Sequence, residues 1–580
     1  MIEKMTRYSF VLLNADKEEF LTELQESGVI DITRSAKPLD ERSERIMKEI
    51  EGCKALVSDI ERGSDARVLE LQEQLSHCKD KLSEVQVWGD YDREKLSALG
   101  IRYYCVPEKK FDPLWENDFA LQEVLRDSGK VWFVTVGQAD GFPVRELPAP
   151  DCTQAQAAAA LEAKQNELDA YRKELEGRKV EIPSLKSRID ALGCELNRYL
   201  AEITGETAAQ ESLIVYEAFA PSVEDGRLQE EFDKMGCIWM AEPAAAADNP
   251  PIKLRNNWFS RQFEVLTGMY GMPVYDEFDP TPVLAPFFLL FFALCMGDAG
   301  YGILLIIIGL LLRGKSGGLA KLWRLIITLG AGTFAVGLLL GTFFGISLAE
   351  APWYPSALKG CIISGTVPLM GNDLDLQMVM AVCIGIFHIC LAMIIKSVLY
   401  TRRFGFKQNI STWGWTLLIV GSVLVLTLGL LGVVAPDIAK WAIIGIGGVS
   451  ALGIFLLNKP GRNPLLNIGA GLWDTYGMAT GILGDVLSYI RLYALGLAGG
   501  ILGSTFNELG SMVLGENPSW QWLPFVLLLL FGHALNLAMS CLGAFVHPLR
   551  LTFVEYFKNS GYEGAGRKYS PLKKSTNQNQ

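Results

Sequence analysis

Histidine is scarce in this 580-residue chain, which has four, and none lies at metal-ligand spacing from another ligand. The eleven cysteines include no Cys-x-x-Cys pair. A zinc site and a disulfide scaffold are therefore not expected, and a reducing compartment is. The first twenty residues, MIEKMTRYSFVLLNADKEEF, lack an apolar stretch long enough for a signal peptide, so the N-terminal part is expected to stay in the cytoplasm. Acidic residues, plentiful early on, are few in the second half. Residues 281–580 hold 11 Asp/Glu against 19 Lys/Arg, whereas residues 1–280 hold 54 against 34. An acidic half argues against nucleic-acid binding and suits protein partners. The length predicts two or more domains.

Proline and glycine are nearly missing from two charged stretches, Leu39–Val87 and Thr153–Ile203, which are rich in Glu, Lys, Leu, Gln and Ala. As helices each would reach roughly 70 Å, and two such helices pair most simply as an antiparallel coiled coil. Separate solvated helices are the plain alternative. Around them lie three β-α-β patterns: Tyr8–Leu13, Lys17–Ser27 and Val29–Ile32; Arg102–Val106 through Trp132–Val136; and Leu213–Ala218 through Ile238–Met240. The reading for residues 1–280 is an arm of two small α/β lobes joined by a rod, with no catalytic constellation. His77 beside Cys78 reads as ordinary surface.

From Pro282 the composition changes. Apolar segments fall at about 283–313, 322–348, 376–400, 412–433, 438–457, 476–506 and 522–557. Bases cluster at Arg313, Lys315, Lys321 and Arg324, at Arg402, Arg403 and Lys407, at Lys459 and Arg462, and from Lys558 to Lys574, whereas Glu350–Gln377 and Glu508–Trp520 hold almost none. Two spans separate successive clusters, which places all of them in the cytoplasm. Residues 283–313 must then cross twice. As one helix they would span roughly 46 Å, too long for one crossing, and the break falls at Gly297-Asp298-Ala299-Gly300-Tyr301-Gly302. Residues 281–580 are thus an all-α membrane domain of about eight spans in a multi-pass membrane protein with both termini cytoplasmic. Gly309–Ser316 fits the pattern GxxxxGK[ST], but at the end of an apolar span rather than after a buried strand, so no nucleotide or other cofactor is expected on this chain.

Charges at membrane depth are costly and mark candidate sites. Arg491 lies near the middle of its segment, too far from either end to reach an interface easily, with Ser488 on its helical face and small residues beyond. A structural arginine paired with Asp485 or Asp474 is the plain alternative. In the last segment His533, Asn536, Ser540, Gly543, His547 and Arg550 are spaced 3, 4, 3, 4, 3, one stripe along a helix that needs polar neighbours or a wet passage. Helix–helix hydrogen bonding explains part of such a stripe without an ion path. Pro548 interrupts the backbone ladder beside it. Asp298, Glu555 and His388 are weaker candidates that fit either path or packing roles, and Lys396 is read as reaching for the interface.

These residues stand in stretches that together resemble subunit a, called subunit I in prokaryotes, of the V-type and A-type rotary ATPases. They are Phe287–Gly302 (FFLLFFALCMGDAGYG), Gly341–Gly345 (GTFFG), the Ile386–Ile389 region, Gly484–Gly500 (GDVLSYIRLYALGLAGG) and Leu542–Leu572. The resemblance implies a non-catalytic stator subunit of an ATP-driven H⁺ or Na⁺ pump. It implies that Arg491 faces a ring of proteolipid subunits (c or K), with Arg550 its partner on the neighbouring helix. Arg491 then attracts the ring's ionised carboxylate and separates two offset half-channels, while the arm binds peripheral stalks (E and G) and the central-stalk subunit (d or C). Where some members carry an acid seven residues before the histidine matching His547, this chain has Ser540, so the acid of that half-channel is expected elsewhere, at Asp485 or Asp474, or its place is expected to be taken by water. An ion-coupled secondary transporter with a cytoplasmic regulatory domain is the rival reading. It predicts internal repeats, and no clear repeat is present. A purely structural membrane anchor leaves Arg491 unexplained.

Overall fold

The computed structural model describes all residues except 34–39, 64, 91–98, 113–114, 116–119, 128, 137–141, 143, 209–211, 314–321, 353, 356–358, 364, 370–371, 458–463, 515–519 and 575–580. It divides into two compact units, residues 11–216 with 572–580, and residues 1–10 with 217–571.

Alternation in β1 (Met5–Leu13) buries Tyr8, Phe10 and Leu12 on one face. Helix α1 (Lys17–Ser27) ends where Gly28 adopts φ +65°, and β2 (Asp31–Ile32) follows. The two long charged stretches are each broken once. The first gives α2 (Glu41–Arg62) and α3 (Ala66–Gln86), because Gly63 turns at φ +62° and Asp65 caps the next helix by accepting from Val68 N. Between them and the second stretch, β3 (Ile101–Pro107), β4 (Leu121–Asp127) and β5 (Lys130–Val136) form an antiparallel sheet in the order β3-β5-β4. A β-α-β unit is expected there. The charged, alternating Leu121–Asp127 is a strand instead, paired along β5 as one hairpin.

The second stretch gives α4 (Gln154–Gly177) and α5 (Ile182–Thr204), separated by a 3₁₀ turn just before Pro183. Helix α2 packs on α5 through Ile46, Ile50, Leu196 and Leu200, and α3 on α4 through Val68, Leu71, Leu168 and Leu175. Glu61 meets Lys186 and Arg42 meets Glu195, so α2 and α5 run antiparallel. Strands β6 (Glu206–Ala208), β7 (Leu213–Pro221) and, after α6 (Asp225–Phe232), β8 (Ile238–Pro243) complete a five-stranded sheet of order β2-β7-β1-β8 with β6 on β7. Two β-α-β units far apart in sequence thus interleave in one sheet.

Among the described residues, six helices long and apolar enough to cross a membrane and two shorter apolar helices follow. The expected hairpin is α7 (Thr281–Met296) and α8 (Ala299–Leu312), with Gly297 at φ +61° and Asp298 capping α8. Then come α9 (Trp323–Leu340), α10 (Leu376–Phe404), α11 (Ile410–Leu430), α12 (Pro436–Ala451), α13 (Pro464–Leu514) and α14 (Trp522–Arg550). Helices α9 to α14 are long and apolar enough to cross a membrane, and α7 and α8 are shorter. Two boundaries differ from expectation. The apolar run after Trp323 leaves the helix at Gly341 (φ +77°) and forms a small hairpin, Thr342–Phe343 with Ile346–Ser347. Helix α13 is continuous over 51 residues, about 75 Å, and so extends well beyond a bilayer core. Helix α14 passes through Pro548 and widens into a π-helical segment, Leu551–Tyr556, that absorbs the lost backbone donor. Gly309–Leu312 form the last turn of α8 rather than a loop. Gly314, Lys315 and Ser316 of the nucleotide-like match, and the bases Lys321, Lys459 and Arg462, lie outside the described residues.

Candidate functional site

Helix α13 has two faces. Asp485, Tyr489 and Leu492 are buried against the other helices. Leu483, Leu487, Leu497 and Ile501 are 65, 56, 45 and 56% exposed, and Ala494 and Ala498 are exposed with them. Arg491, at the 3–4 spacing between Leu487 and Ala494, is itself half-buried at the edge of this exposed face. Among the described residues it forms no ion pair and no hydrogen bond. Asp485, six residues earlier, points to another face and accepts from Asn559 Nδ2 at 2.7 Å. Pairing of Arg491 with an acid of its own chain is therefore not observed.

The polar stripe of α14 lies against α13. His533 Nδ1 meets the Tyr301 hydroxyl at 2.9 Å and its Nε2 meets Asn507 Oδ1 at 3.1 Å. The Asn536 amide donates to Tyr301 Oη and to Gly499 O, both at 2.8 Å, and its oxygen accepts from Ser540 at 3.2 Å. Gly543 faces Leu495. Arg550 is exposed. The charges of Arg491 and Arg550 both bear on His547, whose Nδ1 is buried without a partner among the described residues. The upper part of the stripe is thus a satisfied interhelical network, and the part nearest Arg491 is not.

A third cluster lies beyond α14. Ser488 donates to Gly484 O at 3.0 Å and faces Glu555, which is buried in the π-helical segment with Oε2 unpartnered among the described residues. His388 of α10 is buried between the rings of Phe287, at 4.3 Å, and Tyr556, at 4.6 Å, and its Nδ1 meets Tyr489 Oη at 3.0 Å. The contact ties α10 to the inward face of α13. Asp298 is fully enclosed and accepts from four backbone N–H groups: Gly300 at 2.8 Å, Tyr301 at 3.2 Å, Phe344 at 2.9 Å and Gly345 at 2.7 Å. Its carboxylate holds the hairpin turn to the GTFFG loop, where Phe344 itself takes φ +50°.

Two cavities open along α13, one on each side of Arg491 in sequence. The first, about 410 Å³, is lined by Asp474, Gly481 and Asp485 of α13 together with Lys396, Lys558 and Asn559. The second, about 360 Å³, is lined by Tyr493, Gly496, Gly500 and Ser504 of α13 and by Thr342 and Asp375. Tyr301, Tyr489, Asn559, Asp375 and Tyr493 are absent from the sequence-derived candidates. Tyr301 stands inside the MGDAGYG turn and Tyr489 two residues from Arg491, but tyrosine at a span is ordinary and only the contacts single them out.

Comparison with known proteins bears on these stretches. The model of the V-type ATPase 116kDa subunit family matches residues 162–331. The chain is 26% identical to the A-type ATP synthase subunit I of Methanocaldococcus jannaschii, over 91% of this chain and 82% of that protein. It is also 26% identical to the V-type ATP synthase subunit I 1 of Treponema pallidum, over 99% of this chain and all of that protein. With the A-type ATP synthase subunit I of Pyrococcus abyssi the identity is 33%, over 56% of this chain and 48% of that protein. Apolar spans, motif order and these alignments agree: the chain has helices long and apolar enough to cross a membrane and is similar over nearly its whole length to subunit I of A-type and V-type ATP synthases.

Proposed function

We propose that the chain is the non-catalytic stator subunit of a rotary ATPase membrane sector, in which Arg491 faces a proteolipid ring and the two cavities serve as offset half-channels for H⁺ or Na⁺. The observation that carries this is the placement of Arg491: a guanidinium at the centre of an apolar helix, at the edge of its exposed face, with no acid paired to it among the described residues. Leaving such a charge unpaired in lipid is costly, so a partner carboxylate from another subunit is the physical complement. Arg550, His547, Ser540, Asn536, His533, Ser488, Asp485, Asp474 and Glu555 line or support the route to it. His388 and Asp298 are best read as holding helices in place. Residues 1–280 are read as the cytoplasmic arm, with 39–87 and 153–203 forming an antiparallel coiled coil that meets peripheral and central stalk subunits. Residues 281–580 are read as eight spans with both termini cytoplasmic. In complexes reconstituted into vesicles, Arg491→Ala should abolish ATP-driven ion uptake; unimpaired uptake would defeat the reading.

A further inference from the structure

The cavity beside Tyr493 contains one charged group. Among the described lining residues Asp375 is the one carboxylic acid, none is a base, and Thr342, Ser347, Gln377, Tyr493 and Ser504 supply the other polar atoms. A single carboxylate in an apolar-walled recess focuses a negative potential and concentrates cations there. Asp375 is held in place from two sides. One oxygen caps α10 by accepting from Gln377 N at 3.0 Å, and the other accepts from Tyr493 Oη at 2.9 Å. Tyr493 lies two residues from Arg491 on the same helix, and the cavity continues along α13 through Gly496, Gly500 and Ser504 toward the exposed Ile501. Leu497 and Ile501, both exposed, also line it, so the recess reaches the edge of the uncovered face of α13.

We infer that Asp375 is the cation-selecting carboxylate of the half-channel on the side away from the cytoplasm, and that Tyr493 is its positioning residue. This rests on the stator reading above. A cation entering the recess is held by the carboxylate, without a covalent change in the chain if it is Na⁺. If it is H⁺, an O–H bond forms on Asp375 and breaks when the proton passes to water or to the ring carboxylate. The position was not apparent among the sequence candidates because Asp375 precedes its span and resembles an ordinary helix cap.

The test uses the assembled complex in vesicles. Asp375→Asn keeps an acceptor oxygen for Gln377 N and turns an amide N–H toward Tyr493 Oη, which then accepts, while removing the charge. ATP-driven uptake should fall at least about tenfold, the scale of electrostatic focusing, while D375E recovers most of it and subunit content is unchanged. Separately, S504C is made in a background freed of Cys361, Cys383 and Cys541, and probed with membrane-impermeant cationic and anionic methanethiosulfonates added from the side away from the cytoplasm. The cationic reagent should react faster, and D375N should erase the difference. Full uptake by D375N overturns the inference, as does equal reaction of the two reagents with S504C, a readout that stands even if D375N does not assemble. Arg491→Ala run in parallel separates the outcomes. If it abolishes uptake while D375N does not, only this inference falls; if it leaves uptake intact, the stator reading falls first.

Discussion

Asp298 shows how one side chain can be polar at membrane depth and still be structural. Its two oxygens collect four backbone N–H groups from two turns, all of them inside the protein. Asp298→Ala strands those donors, and since each buried unsatisfied donor costs about 1–3 kcal/mol, the loss should be at least about 3 kcal/mol. Thermal unfolding of the detergent-solubilised protein measures it. Asp298→Asn, which keeps one acceptor oxygen, should lie between the two. A role in ion passage would instead appear as normal stability with lost transport. Arg491 is the opposite case: among the described residues it has no hydrogen bond or ion pair, so Arg491→Ala should leave unfolding nearly unchanged while removing transport. Sequence singled out both residues on the same ground, a charge among apolar neighbours. It could not separate them, because the partners of Asp298 are backbone groups that any sequence possesses.

Between helices, close approach is set by glycine. A Cβ on Gly337 would meet the backbone of Ala299, one on Gly302 the backbone of Phe334, and one on Gly385 the ring of Tyr489. Gly337→Ala and Gly385→Ala should each destabilise by about 1–3 kcal/mol through overpacking. Gly469 of the same membrane unit has nothing within 4 Å of its would-be Cβ. Gly469→Ala should therefore be neutral or gain up to about 1 kcal/mol from helix propensity. Equal effects at all three positions would refute the packing argument. Helix existence was largely legible beforehand, since apolar runs of this length have few other solutions. Helix ends were less so. Apolar residues continue past Gly341 into a hairpin, and α13 starts at Pro464, well before the segment expected from residue 476. In the arm, Gly63 and the turn before Pro183 divide two helices that composition presents as continuous.

On the scale of the larger unit, segments distant in sequence are sewn together by the chain after α14. Tyr562 Oη donates to Gly271 O at 2.7 Å, Gly566 N to Met272 O at 2.8 Å, and Ile252 N to Arg567 O at 2.6 Å. Glu277 accepts from Glu563 N at 2.7 Å and from Val274 N at 2.8 Å. Deleting residues 562–580 removes all of these bonds except that from Val274 N and should lower stability by several kcal/mol at about 1 kcal/mol each, measured by thermal unfolding. Burial pushes the Glu277 carboxyl above its usual 4.5, an effect larger than that of its two N–H donors. The folded protein then keeps a proton that the unfolded chain has released. Stability from this residue should therefore fall as pH rises from 4.5 through the raised value and level off above it. Glu277→Gln should flatten that slope; an unchanged melting-temperature profile would remove Glu277 as its source.

Amino-acid order by itself determined the division between charged arm and apolar spans, the hairpin break at Gly297–Asp298, and the candidacy of Arg491 and of the α14 stripe. Those follow from one-dimensional costs: apolar length needed to cross lipid, and charge that lipid does not tolerate. Tertiary structure decided what faces what. It turned Asp485 away from Arg491, matched the stripe to Tyr301, Asn507 and Gly499, placed Asp375 beside Tyr493, and paired β1 with β7. These are contacts between residues tens to hundreds of positions apart, and side-chain periodicity within one segment carries no information about the neighbour that segment will meet.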